Sequence, residues 1–326
     1  MLLRCTASRE GKLNTFLRRE LSMSSSLVSR LKWQNALLVN GAPAHTGHPV
    51  RTGDEVAVRL EETVEGFSPE EMPLSILYED EALIALDKPA GLSSEDGVLA
   101  ALRKLWGRPD AYVGVIHRLD TGVSGLMVYA RTPGAAAALT KQVTESQQAY
   151  AILDGRAEAG PGAPAQPCFL KTYRAVIAGG PDEQLPPEGI LRDYLFKDSR
   201  KGRVFPVKRP RKGVREAVLE YHIVETAPDG SLSLAEITLH TGRTHQIRVQ
   251  FASRKHPLYG DGKYGRRFKG DIALQSAGLQ FVHPETGEKM AFQLEKPIKA
   301  PWDLNPSVTC GDSSPSSGAL GITGNL

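Results

Sequence analysis

VIHRLDTGVSGLMVYART, Val115 to Thr132, holds two apolar runs with a charged, glycine-containing break between them. Each run alone reads as a strand. The break puts His117, Arg118, Asp120, Thr121, Gly122 and Gly125 where one continuous buried strand would be apolar. Local pattern is interrupted at functional sites more than elsewhere, so this break is the first place to look for chemistry. SGLMVYA, Ser124 to Ala130, then resumes as an unbroken apolar run, the pattern of a strand covered on both faces.

Working outward, SILYEDEALIALDKPAG gives two strands around an acidic turn, GVLAALRKLW a short helix and AAAALTKQVTESQQ a longer one. KTYRAVIAG, AVLEYHIVET, SLSLAEITLHTGRTHQIRVQFA and LQSAGLQFVHP read as strands from their β-branched and aromatic content. Strands dominate and helices intervene irregularly. The expected class is α+β with a mixed, largely antiparallel sheet, not a regular βαβ repeat.

Ahead of this domain, Leu13, Phe16, Leu17 and Leu21, then Leu27, Val28 and Leu31, recur at helical spacing. Ser24 to Ser26 supply an N-cap for the second helix. A short strand, an Asn40-Gly41 turn and a last strand after Gly53-Asp54 complete a small α+β unit over residues 1–60. Residues 61–73, acidic and proline-containing, read as a linker. The larger domain is expected to span residues 74–302, and the Gly/Ser/Pro-rich residues 303–326 are expected to form a disordered tail.

The 326 residues suit about two domains. No apolar run is long enough to cross a membrane, and MLLRCTASREGK lacks the apolar segment of a secretory signal, so a cytoplasmic protein is expected. Cys5, Cys168 and Cys310 are far apart and make neither a metal spacing nor a disulfide framework. There is no glycine-rich phosphate loop and no metal-binding His pair at helical spacing, so neither cofactor nor metal is expected. The net charge is only +3, but it is unevenly spread. Lys197 to Arg215, KDSRKGRVFPVKRPRKGVR, carries nine basic side chains against one acidic, a local polyanion contact rather than bulk attraction.

Three residues stand out because their surroundings are strand-like: Asp120 at the break, Tyr173 in KTYRAV, and Arg243 in LHTGRTHQIRVQF. Taken singly, Asp120 is an ordinary turn former and Tyr173 a half-buried packing residue. Strand alternation puts Arg243, His245, Ile247 and Val249 on one face. A guanidinium facing a core needs a carboxylate, and Asp120 is a candidate. A carboxylate held by an arginine stays ionised and can serve as a nucleophile at an electrophilic sugar or base carbon. A nearby tyrosine can stack on a ring or relay a proton.

HRLDTGVSGL, residues 117–126, resembles the catalytic motif of the RluA-type pseudouridine synthases, which isomerise uridine in RNA. PLSILYEDEALIALDKPAGL, KTYRAVIAG, LHTGRTHQIRVQFA, HPLYGDGKYG and LQSAGLQFVHPETGE are similar to further motifs of that family, in the same order. Residues 12–60 resemble the small RNA-binding domain shared with a ribosomal small-subunit protein. The resemblance implies an RNA-binding cleft in the catalytic domain and assigns residues one by one. Asp120 takes the place of the catalytic aspartate. Tyr173 matches the tyrosine that stacks on the uracil and handles the proton lost from carbon 5. Arg243 matches the arginine that pairs with the aspartate, and Arg118 the residue that enters the helix where the target base has left. Ile247 is a candidate for apolar packing under the uracil.

The implied reaction breaks the bond from nitrogen 1 to the sugar, turns the base and rejoins it through carbon 5. The carboxylate attacks either the sugar carbon or carbon 6 of the base. No redox partner, group donor or metal is required. The base must leave its stack first, at a cost of a few kcal/mol. The expected partner is RNA, ribosomal large-subunit RNA before transfer RNA because of the appended N-terminal domain, and the expected state is a monomer. Two competing readings are a non-catalytic RNA-binding or ribosome-assembly protein on the same fold, and a retaining glycosidase. The first needs none of Asp120, Tyr173 and Arg243; the second needs a second carboxylate motif that is not seen.

Overall fold

The computed structural model describes residues 2–21, 23, 28, 31–32, 36–59, 74–160, 162–265, 271–294 and 298. The linker at 61–73, the tail at 303–326, Cys310, the Ser24–Ser26 cap and most of the second N-terminal helix lie outside the described residues. Among those described, no helix is long and apolar enough to cross a membrane. The chain divides into two compact units, Met1–Phe169 with Gly278–Leu294, and Leu170–Ala277 with the remaining C-terminal residues.

The first unit begins with β1 (Leu2–Thr6), β2 (Gly11–Lys12), α1 (Leu13–Arg19), β3 (Leu37–Val39), β4 (Ala42–Pro43), β5 (Pro49–Val50) and β6 (Glu55–Arg59). Four of these strands form a sheet in the order β1-β6-β3-β4, and β2 pairs β5. Leu13, Phe16 and Leu17 of α1 pack with Leu37, Val39, Val56 and Val58 in a core drawn wholly from the N-terminal segment. The helical spacing of those apolar positions is what buries them on one side.

The same unit then carries β7 (Ser75–Glu79), β8 (Leu83–Lys88), α2 (Asp96–Leu105), β9 (Gly114–Val115), β10 (Ser124–Ala130) and α3 (Pro133–Leu153). β16 (Leu274–Val282) joins it from Gly278 on, followed by β17 (Lys289–Gln293). The strand order is β16-β10-β8-β7, with β9 on β10 and β17 on β16. Leu126, Met127, Val128, Tyr129 and Ala130 are each at most 1 % exposed, as a continuous apolar strand covered on both faces should be. α3 starts where Thr132 caps it, its side-chain oxygen accepting from the Ala135 N–H at 3.1 Å with Pro133 next in line. Leu139 and Ala135 of α3 close over Leu126, Val128 and Phe281.

The second unit holds β11 (Leu170–Ala178), β12 (Glu188–Asp198), β13 (Arg203–Val207), β14 (Val214–Thr226), β15 (Leu232–Leu239) and α4 (Gln246–Ser253). Its antiparallel order is β13-β12-β14-β15-β11. Leu195, Val204 and Ala217 on the inner face pack with Val249 of α4. The α+β class and its largely antiparallel pairing follow the expectation from pattern.

One expected strand is a helix. LHTGRTHQIRVQFA does not continue β15 past Leu239, and Gln246–Ser253 is α4. Arg243, His245, Ile247 and Val249 therefore do not share a strand face. His245 takes a left-handed backbone conformation, φ 52°, just before the helix. The Gln246 side chain then accepts from the Arg243 N–H at 3.0 Å and from the Thr241 hydroxyl at 2.9 Å, and donates to the Val218 carbonyl at 3.0 Å. These bonds fold the chain back, and Ile247, Val249, Gln250 and Phe251 are buried by the helix. Ile and Val in the run mimic strand composition, but the side-chain bonds of one glutamine override it.

Candidate active site

In the first unit, the break read from the sequence is a loop between β9 and β10. Its ends are fixed by buried polar groups. The Ser94 hydroxyl donates to the Leu119 carbonyl at 2.8 Å and accepts from the Leu119 N–H at 3.0 Å. The Tyr129 hydroxyl, from the middle of β10, donates to the Ser94 carbonyl at 2.9 Å. His117 is buried against Phe169, ring centroids 5.8 Å apart, and its Nε2 accepts from the Val128 N–H at 3.3 Å. With Leu119 also buried, the residue between and the residue after are turned outward: Arg118 is exposed and Asp120 half-exposed. The Val123 N–H closes a turn onto the Asp120 carbonyl at 2.9 Å, and Gly125 follows at φ 119°, a conformation glycine adopts without strain.

Lys88 lies beneath this turn. It is wholly buried, and its ammonium donates to the carbonyls of Pro89 and Leu92 at 2.8 Å and of Thr121 at 3.4 Å. The Thr121 carbonyl also receives the Gly91 N–H at 2.8 Å, so the KPAGL turn and the Asp120 turn are stitched together. Burial pulls the Lys88 ammonium down to about 8, against the opposing pull of the Asp120 and Asp87 charges. Burial likewise raises the Asp87 carboxyl. Arg118 is held at the rim by an ion pair with Glu95 at 3.1 Å.

In the second unit, Tyr173 sits on β11 opposite Ile237 of β15, 5 % exposed. Lys171 and Tyr173, two residues apart, share a strand face. Lys171 is also buried, and its Nζ would be 3.3 Å from a Cβ on Gly242. Burial, with the positive charge of Arg243 added, lowers the Lys171 ammonium to about 8. The Arg243 side chain is braced by its Nε, which donates to the Glu216 carbonyl at 2.8 Å. The loop carrying Arg243 is held further on, where the His245 ring and the Tyr264 hydroxyl meet at 2.8 Å. Arg248 grips Asp261 through two bonds, 2.8 and 2.7 Å. Burial alone would raise the Asp261 carboxyl; that grip and the backbone N–H groups of Tyr264 and Lys263 outweigh it and hold it low.

Pattern singles out Asp120, Tyr173 and Arg243, and the resemblance adds Arg118; neither points to Lys88, Lys171 or Ser94, which the structure places beside them in the chain's two units. Lys88 had a signal, a charged residue closing the apolar run LIALD. Lys171 had one too, two residues before Tyr173 on the same face. Ser94 had none. Ile247 is 4 % exposed within α4. Among the described residues, no group of three His, Cys, Asp or Glu side chains could hold a metal ion.

A family model described as RNA pseudouridylate synthase matches residues 82–253, a stretch that contains every residue named above from Lys88 to Arg248. An uncharacterized RNA pseudouridine synthase of Aquifex aeolicus is 30% identical over 88% of this chain and 91% of its own length. The ribosomal large subunit pseudouridine synthase D of Neisseria meningitidis serogroup B is 31% identical, over 88% of this chain and 76% of its own. The solved structure of human RNA pseudouridylate synthase domain containing 1 shares the fold, with a TM-score of 0.52 at 21% identity, over 74% of this chain and 90% of that one. With the motifs in order, the model matched over more than half the chain and relatives aligned along nearly all of it, the chain belongs to the RNA pseudouridine synthases, isomerases that act on uridine in RNA.

Proposed function

We propose that this synthase isomerises chosen uridines with Asp120 as nucleophile, after the base has been flipped out of the RNA. The observation that carries this is the built turn around Asp120. A half-exposed carboxylate leaves a loop pinned by Ser94 and Tyr129 and underlain by the wholly buried ammonium of Lys88. An ordinary surface turn does not need a buried lysine beneath it, since burying a charge is costly. A fixed carboxylate close to a cation is suited to attack and to later release.

The other roles follow from chemistry and from the resemblance. Arg118 on the rim fills the gap left by the flipped base and offsets part of the unstacking cost. Tyr173 stacks on the uracil and takes part in moving the proton from carbon 5. Arg243 pairs with the Asp120 carboxylate. The reaction balances without a co-reactant: the nitrogen–sugar bond breaks, the carbon 5–sugar bond forms, carbon 5 loses its proton and nitrogen 1 gains one. The basic residues of 197–215 and of the N-terminal segment hold RNA phosphates outside the site, an attraction that falls with salt. Large-subunit ribosomal RNA is the proposed substrate, because relatives named for it align along most of this chain. Transfer RNA is the second reading.

Tritium release from RNA labelled at carbon 5 of uridine tests the assignment, with total RNA from cells lacking the enzyme as substrate. Release by the wild type and none by Asp120→Ala is expected. Equal release by both would remove Asp120 from the mechanism. Fractionating the RNA first separates ribosomal from transfer RNA as the target.

A further inference from the structure

The basic segment is not a uniform cationic surface. β12 and β13 form a hairpin in which Phe196 lies directly opposite Phe205, and Tyr194 opposite Val207. Leu195 and Val204, one step along each strand, point into the core with Ala217 and Val249. Strand alternation therefore turns Tyr194, Phe196, Phe205 and Val207 to the opposite, outward face. Phe205 is 36% exposed there. The guanidinium of Arg211 lies over the Phe196 ring, 5.3 Å from its centroid. Lys208, Arg209, Arg211 and Lys212 are exposed just beyond β13.

Two features decide what this face takes. β13 ends the strand order, so it is the edge of its sheet, yet Pro206 sits within it. A proline removes a backbone donor from that edge and disfavours an added protein strand. Exposed aromatics among cations are instead the elements of a surface for unpaired nucleotides: rings stack on bases and cations meet the phosphates. The nine-to-one charge ratio of Lys197 to Arg215 favours a polyanion over a protein face.

We propose that the outward face of this hairpin is a stacking platform for an unpaired nucleotide of the RNA substrate, with the base on Phe205 and neighbouring phosphates on Lys208, Arg209 and Arg211. This rests on the reading of the chain as an RNA-modifying enzyme and adds a preference for single-stranded segments at a point away from Asp120. Tyrosine or tryptophan at position 205 preserves the platform. Leucine keeps the apolar character but removes the flat ring.

The test is binding by the full chain to a short fluorescein-labelled single-stranded RNA and to the same RNA annealed to its complement. Phe205→Ala and Phe205→Leu are expected to weaken the single-strand complex roughly five- to a hundredfold and leave the duplex complex unchanged. Phe205→Tyr should bind like the wild type. Unchanged single-strand affinity in Phe205→Ala would overturn the proposal. So would equal losses for both RNAs, or full retention in Phe205→Leu, since neither is the signature of stacking. Tritium release by the wild type, followed alongside, reports on the synthase reading itself, so failure of one is not mistaken for failure of the other.

Discussion

The Asp120 turn and the β12–β13 hairpin both present charge to solvent, but they are built in opposite ways. Around Asp120, the polar groups that fix the chain are buried and bonded: Ser94 to Leu119 twice, Tyr129 to Ser94, and Lys88 to three carbonyls. The hairpin carries its cations outside, and its tip is held at the surface: Asp198 accepts from the Arg200 N–H at 3.0 Å and the Lys201 N–H at 3.1 Å, and the exposed Lys263–Gly202 bond spans 2.7 Å. A nucleophile has to be held within a fraction of an ångström, so its support is desolvated and preorganised. A phosphate contact tolerates many geometries, so its lysines and arginines can remain solvated and adaptable. On the proposed reading, rigid support goes with the chemistry and exposed charge with the binding.

The sharpest way to break that contrast is at Asp120 itself. Asp120→Ala should lower turnover by about 10⁴-fold or more while RNA affinity changes little, because residues that act as a unit fail together. A comparable loss of affinity would mean the turn is a binding element.

Next in size is Lys88. Lys88→Met takes the ammonium from the Pro89, Leu92 and Thr121 carbonyls, of which Thr121 keeps the Gly91 N–H, and removes a cation from beside Asp120. Turnover at saturating RNA should fall by about 10²-fold, with KM nearly unchanged. Lys88→Arg should recover part of the loss if charge matters and none if only the lysine's fit does. A pure rise in KM would place Lys88 on the binding side.

The hairpin should show the reverse split. The triple variant Lys208→Glu, Arg209→Glu, Lys212→Glu should bind RNA more weakly and show a salt dependence shallower by about 0.7–0.9 per lost phosphate contact. Turnover of the saturated complex should stay near that of the wild type. A large loss of turnover at saturation would erase the division of labour.

The smallest effect is a pH dependence with opposite signs for stability and turnover. Burial holds Lys88 and Lys171 near 8 in the folded chain, below the ordinary lysine value of 10.5. Between those values the unfolded chain binds more protons than the folded one, so stability against unfolding rises with pH across that window. The rise approaches about 1.4 kcal/mol per pH unit for each lysine at most. Turnover should fall over the same range as Lys88 loses its charge beside Asp120. Denaturant melts and tritium release at pH 7.5 to 9.5 check the two signs, and Lys88→Arg should lose much of the alkaline fall in turnover.

Much of this was legible in the chain as written. SGLMVYA is β10 from end to end, and KTYRAV carries Tyr173 on the expected strand. The break at HRLD is a real departure from the strand, with Arg118 and Asp120 turned outward. β12 and β13 are not legible in the sequence because exposed lysines and arginines mask the alternation of Leu195, Phe196, Val204 and Phe205. α4 does not show in the sequence because Ile247 and Val249 look like strand residues, while the glutamine that turns the chain acts through bonds to Thr241, Arg243 and Val218.

By itself, then, the order of residues determined the α+β class and the family's motifs in order, and with them the proposal that Asp120, Tyr173 and Arg243 carry the chemistry. Periodicity and motif are properties of neighbours in the chain. Only the tertiary structure decided that Lys88 and Lys171 are buried cations, that Ser94 clasps Leu119, and that Arg243 leads into a helix. Each depends on which distant groups exclude water from a polar atom and bond to it in water's place, and that desolvation exists only once the chain has folded.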